Sequence, residues 1–326
     1  MIGFQRLLIW GWVGCWFLTA CGTSSPATPQ LRPQPTCVSS TPGANPYLEH
    51  SQAGAVRVYE HYLYGRVSYE GARQIALARL GENLQHWSDH VDLVLDDSRM
   101  VRITVTYLDP ALVQYVVLNQ TLAYANATDL NTFNALLIET QRKLGERQET
   151  LFLMTLTTPA SHAAVNGDYS LQLPVWQMGL VTDSGLQALP AHVDPGLNQK
   201  IDLSRLPLSG LIGYPLAITG SDGQCKLVMD SWTTQLTLNV ASLLLNKRST
   251  DGLFWRIPFR ALILQDDPQA IPTYDPLSDP TRQRTNQLPP TPNWQPNSQV
   301  DTTDPTLYWQ EMGRYIWDVV ITESHH

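Results

Sequence analysis

Cysteine is scarce in this chain: 326 residues contain four, Cys15, Cys21, Cys37 and Cys225. So few, so widely spaced, exclude a disulfide-dense scaffold and a zinc site built from paired cysteines. Basic blocks are missing too. Lys and Arg number 21 against 29 Asp and Glu, a formal net charge of −8, so neither nucleic acid nor an anionic membrane surface is an expected partner. No Gly-x-Gly-x-x-Gly or Gly-x-x-x-x-Gly-Lys-Ser/Thr loop is present to cradle a phosphate, and no Gly-x-Ser-x-Gly elbow to expose a nucleophile. The apolar run Leu7–Leu18 is shorter than the roughly 20 residues a bilayer-spanning helix needs. What remains is a globular composition, 43% hydrophobic, enough for one large domain or two ordinary ones.

The N-terminus carries the most specific signal. Arg6 precedes the run Leu7–Leu18 (LLIWGWVGCWFL), and Leu18-Thr19-Ala20-Cys21 follows, small residues leading into a cysteine. A short apolar run ending this way reads as a cleaved export signal rather than a permanent span. The stretch resembles the precursor of a bacterial lipoprotein, whose lipobox is Leu, a small or hydroxyl residue, Ala or Gly, then Cys. The resemblance covers the first 21 residues only. It implies removal of residues 1–20, a thioether-linked diacylglycerol on Cys21 and acylation of the new amino group. Two or three acyl chains on one residue give an effectively permanent anchor, since each buried methylene contributes about 0.8 kcal/mol. The competing reading is an ordinary secretory signal or short anchor with a chance Leu-Thr-Ala-Cys. Gly22, where Asp would retain an inner-membrane lipoprotein, favours the outer membrane if the envelope has two.

With Cys15 in the leader and Cys21 lipidated, Cys37 and Cys225 remain. In an exported chain they can form a disulfide, the alternative being two unpaired thiols. Residues 21–46 are rich in Ser, Thr, Pro and Gln and read as a flexible spacer.

Residues 47–150 read as a helix-rich part with one strand. Ile75, Leu77, Leu80 and Leu84 recur at helical spacing, and the helical reading extends to about Asp97. Tyr59, Tyr62, Tyr64 and Tyr69 form a cluster suited to packing a helix on a sheet, or to stacking on sugars. Arg102–Tyr107 alternates, with Ile103, Val105 and Tyr107 on one face. Asp109-Pro110 and Thr128-Asp129 open two helices that form a hairpin between strands. From 151 to 265 the period is two. Phe152, Met154 and Leu156, then Leu171, Leu173, Trp176, Met178 and Leu180, then Leu236, Leu238 and Val240, and finally Trp255 and Ile257 predict an antiparallel sheet or sandwich. Pro258 marks an edge strand or a bulge. Residues 266–304 read as a Pro-rich extended arm. Residues 305–326 form a short amphipathic element, helix or strand, with Met312, Tyr315 and Ile316 on its apolar side. The expected fold class is α+β.

The most enzyme-like stretch is His86-Trp-Ser-Asp89-His90, with Asp92 close behind. On a helix the two histidines, four residues apart, would share a face, as zinc ligands do. The pattern resembles the inverted zinc-protease motif His-x-x-Glu-His, with Asp89 in place of Glu and no third ligand at a recognisable interval, so His86 and His90 are weak metal candidates. Asp96-Asp97-Ser98 lacks the ligand alternation of a calcium loop. No catalytic residue and no cofactor is assigned. The expectation is a membrane-anchored extracytoplasmic lipoprotein with a non-enzymatic structural, assembly or interaction role and an envelope protein as partner. The alternatives are a small-ligand or glycan-binding lipoprotein that uses Trp176, Trp232 or Trp255, and a metal-dependent hydrolase.

Overall fold

Helix caps and alternating side chains set out most of this fold locally. The computed structural model describes residues 36–37, 46–49, 53–96, 99–124, 129–159, 165, 169–183, 185–220, 222–229, 233–259 and 312–318. All of them lie in one unit, Leu31–His326. The leader, Cys21 and the 266–304 arm lie outside the described residues, as does most of the 21–46 spacer.

Five helices precede most of the strands: α1 Pro46–Glu49, α2 Ala53–Leu63, α3 Tyr69–Trp87, α4 Pro110–Tyr124 and α5 Leu130–Glu146. Each of the three long ones starts on a side-chain cap. Ser68 accepts from Gly71 N, Asp109 from Ala111 N and Asp129 from Thr132 N, occupying amides that the first turn leaves without partners. Helix α5 is amphipathic, with Phe133, Leu137 and Leu144 buried and Arg142 bonded outside to Glu139 and Glu146. Helix α4 is buried nearly all round, its polar Gln114, Asn119, Gln120 and Thr121 included, because α2, α3 and α5 all pack on it. Tyr59, Tyr62 and Tyr69 meet among these helices rather than between helix and sheet, Tyr59 on Phe133 at 4.3 Å and Tyr62 6.1 Å from Tyr69, while Tyr64 is exposed.

The strands are β1 Ser88–Asp96, β2 Arg99–Tyr107, β3 Glu149–Thr157, β4 Ser170–Gln172, β5 Gly179–Thr182, β6 Gln187–Ala188, β7 His192–Val193, β8 Ile201–Asp202, β9 Leu208–Pro215, β10 Ala217–Thr219, β11 Cys225–Leu227, β12 Gln235–Leu245 and β13 Arg248–Pro258. They form a five-stranded sheet of order β1-β2-β3-β9-β7, a six-stranded sheet centred on β12 and a two-stranded ribbon β10-β11, with every described pairing antiparallel. The α4–α5 hairpin sits in the connection between β2 and β3, which pair directly. The α+β class with a mainly antiparallel sheet therefore stands. Among the described residues, no helix is long and apolar enough to cross a membrane.

Three expectations change. Residues 88–96 are strand, not the end of a helix: α3 stops at Trp87, Ser88 is already extended, and β1 pairs with β2. The helix-rich part thus holds two strands. Position 150 is also no boundary between a helical and a β part, since β1 and β2 lie in the same sheet as β3 and β9. Within the expected spacer, Thr36 bridges Ile218 and Cys37 is disulfide-bonded to Cys225, so this point of the chain is fastened to the β10–β11 ribbon.

The two larger sheets face each other. Register places Ile103, Val105 and Tyr107 on one face with Leu156, Met154 and Phe152. The inner face of the other sheet offers Leu180, Leu236, Leu238, Trp255 and Ile257, all buried. Across the interface Tyr214 Oη donates to Met178 O at 3.0 Å. Strand β12 meets β5 along its first half and β4 along its second. Between the two halves, pairing with β13 lapses at Ala241 and Gly252, where a Cβ on Gly252 would collide with the carbonyls of Val240 and Ala241. Only glycine permits that approach. Pro258 closes β13, which among the described residues pairs only with β12. Residues 312–318 are helical. Met312 and Ile316 are buried there, and Gly313 lies against Leu80 of α3 and Asn119 of α4.

Candidate functional site

The His86–Asp92 stretch is divided by the helix-to-strand switch. His86 stays in the last turn of α3, edge-on to Trp87 at 4.4 Å. His90 lies on β1, where alternation puts it on one face with Asp92 and puts Asp89 on the other. The two imidazoles therefore do not share a helical face, and the zinc geometry expected from i and i+4 spacing is not formed. Each carboxylate has a structural partner. Asp89 Oδ2 accepts the backbone N–H of Arg256 on β13 at 2.7 Å, tying the edges of the two sheets together. Asp92 takes the Arg102 guanidinium with both oxygens, Nε to Oδ1 at 2.8 Å and Nη2 to Oδ2 at 2.7 Å. Arg102 is only 5% exposed, so this fork holds a buried cation. Burial lowers the affinity of His90 for a proton, and the Arg102 cation lowers it further. Among the described residues no group of three or more His, Cys, Asp or Glu side chains could hold a metal ion. Asp96 bonds Arg99 and Tyr169; Asp97 and Ser98 lie outside the described residues.

Sheet pairing assembles a second titratable group. Glu149 begins β3, and β9 carries it next to the two-residue edge strand β7 through the register Glu149↔Pro215 and Gly213↔His192. Gly213 makes room for the carboxylate: a Cβ there would run into Glu149. Burial raises the Glu149 carboxyl above its ordinary value, and His192 and Arg147 partly offset the rise. His192 Nε2 lies 3.0 Å from Asp194 Oδ1, and Asp194 Oδ2 accepts Leu211 N at 2.7 Å. On β9 the Ser209 hydroxyl donates to Thr155 Oγ1 at 3.4 Å. Sequence reasoning missed Glu149, His192 and Asp194 because strand pairing alone joins them. The one local trace was the His192-x-Asp194 alternation.

No protein-family model, curated protein or solved structure matches this chain.

The tryptophans proposed as a binding surface separate sharply. Trp255 is fully buried and donates its indole N–H to Ile103 O, so it is core. Trp232 lies outside the described residues. Trp176 is 43% exposed, and it occupies not a strand but the 3-10 turn Val175–Gln177 that leads into β5. Phe254, which sequence reasoning passed over, is 55% exposed on β13.

Proposed function

We propose that this chain is a lipid-anchored envelope lipoprotein that works outside the cytoplasm in a structural, assembly or interaction role rather than as an enzyme. The observation that carries the reading is the bond between Cys37 and Cys225. These are the two cysteines left once Cys15 departs with a leader and Cys21 takes a lipid, and such bonds persist in oxidising compartments. The bond also fastens the chain to the folded body 16 residues after the acylated position. The engagement of Asp89, Asp92 and Asp194 in holding strands together supports a non-enzymatic role. Mass spectrometry of the membrane-extracted protein tests the anchor. An N-terminus at Cys21 carrying acyl chains is expected, with a Cys21→Ser variant released from membranes. A chain that begins at Met1, or a variant that stays in the membrane fraction, overturns it.

A second reading, a small-ligand or glycan-binding lipoprotein, is favoured by one observation, the exposure of Trp176 on the turn into β5 and of Phe254 on β13.

A further inference from the structure

We infer that the Cys37–Cys225 disulfide is a redox clasp: a reducing dithiol opens it at the exposed sulfur of Cys225 and frees Thr36 and Cys37 from the β10–β11 ribbon, while the folded body stays intact. The chemistry of the clasp does not depend on the lipid anchor; what its opening does for reach rests on the envelope-lipoprotein reading.

The bond lies where a thiol can approach it. Cys225 opens β11 and is exposed, as are Asp222, Gly223, Gln224 and Lys226 around it, whereas Cys37 is half-buried. Exposed disulfides are the ones that exchange with thiols in solution.

Little else holds this point of the chain. Beside the bond, the described residues show one isolated bridge, Thr36 to Ile218, and Cys37 N donating to Ala217 O at 3.4 Å, a long hydrogen bond. Ordering two residues costs more than such contacts return, so cleavage of the covalent link releases them.

The ribbon itself is built on other contacts. Ala217, Ile218 and Val228 are buried, and β10 and β11 pair over three residues. Their turn is closed by Gly220 N to Gln224 O at 2.8 Å and by the Asp222–Lys226 ion pair at 2.8 Å, and Val228 N donates to Leu216 O at 2.8 Å. Opening the bond therefore leaves the ribbon on the body. The bond spans 188 positions, taking in α1 to α5 and β1 to β10. Its loss acts chiefly on the freedom of the unfolded chain rather than on native contacts.

The exchange balances. A thiolate of the dithiol attacks Sγ of Cys225, forming a mixed disulfide and expelling the Cys37 thiolate, which takes a proton. The second thiol of the dithiol, losing its proton, attacks its own partner sulfur in the mixed disulfide and expels the Cys225 thiolate, which is protonated in turn. Two electrons pass to the chain: Cys37 and Cys225 end as thiols and the dithiol as a disulfide.

One distance changes. Cys37 is 16 positions beyond Cys21, whereas Pro46, where α1 begins, is 25 beyond it. Fully extended, those lengths are about 55 Å and about 85 Å. The clasp thus sets how far a lipid-anchored body reaches from its membrane.

Reduction of the full chain in detergent by dithiothreitol tests the inference. A rate that rises in proportion to dithiol concentration is expected, with the circular dichroism spectrum staying native. With glutathione as a single-thiol probe and acid quenching, the adduct is expected on Cys225 with Cys37 left as the free thiol. Hydrogen exchange of the reduced chain should speed up about tenfold or more at Cys37 and stay unchanged in the ribbon, β3 and β12. The double variant Cys37→Ser/Cys225→Ser should show the same exchange pattern without reductant. A rate that levels off at that of global unfolding, an adduct on Cys37, loss of the native spectrum on reduction, or a Cys37 amide still protected afterwards each overturns the proposal. Peptides containing Cys37 and Cys225 are read separately from that of Cys21, so a chain found unacylated removes the change in reach and leaves these outcomes as they are.

Discussion

Trp255 donates its indole N–H to the carbonyl oxygen of Ile103 at 3.0 Å, a bond between two sheets whose residues lie 152 positions apart in the chain. The indole is fully buried, and the same face of β2 carries Val105 and Tyr107. Burial supplies most of the stabilisation here, while the hydrogen bond fixes which way the ring lies.

Replacing Trp255 by Phe is expected to cost about 1–3 kcal/mol, because the carbonyl loses its donor and a small void opens. Replacement by Ala is expected to cost about 3–5 kcal/mol. Chemical denaturation followed by circular dichroism checks both values. Equal losses in the two variants would mean that packing contributes little here.

The Asp92–Arg102 fork carries a different expectation. Asp92→Asn removes the carboxylate from the two-bond fork that holds the buried Arg102 guanidinium; with the Asp92 side chain 27% exposed, the expected cost is about 1–3 kcal/mol. The double variant Asp92→Leu/Arg102→Met is expected to recover much of that loss, because both desolvated charges go together. A double-mutant cycle measures this. A double variant no more stable than Asp92→Asn would show that the guanidinium has other essential partners.

Stability should depend on pH through two groups of opposite sign. The Glu149 carboxyl is raised from 4.5 by burial, so the folded chain holds its proton where the unfolded chain has released it. Stability from this site is therefore present at low pH and falls as pH climbs through the raised value. His90 is lowered from 6.5 by burial and by Arg102, so the folded chain releases a proton that the unfolded chain keeps, and stability rises as pH climbs toward 6.5. Relative to the parent, Glu149→Gln should gain stability as pH rises above 4.5, whereas His90→Gln should gain on the acid side of 6.5. Thermal unfolding across both values decides it, and parallel pH profiles for the two variants would contradict the assignment.

Much of this fold was legible because its causes are local. Asp109-Pro110 and Asp129 announce helices since a carboxylate bonds the amides of its own next turn, and the alternation of Ile103, Val105 and Tyr107, or of Leu236, Leu238 and Val240, needs only the pleat of one strand. Residues 88–96 were misread although Val91, Leu93 and Leu95 alternate. The preceding helical pattern runs straight into them, and the pairing partner that makes them a strand, β2, comes only later in the chain. Trp176 and Trp255 looked alike in sequence, both within stretches of period two; a 3-10 turn placed one at the surface, and the meeting of two sheets buried the other.

The chain by itself thus determined the class of fold, the caps and the inward faces, all of which rest on contacts between near neighbours. Only tertiary structure decided that Glu149 packs over Gly213, opposite His192 in register, that Asp89 holds β13, and that Trp176 and Phe254 stay exposed while Trp255 is buried. Those relationships depend on which strands pair and in what register, and register is settled by the packing of whole sheets.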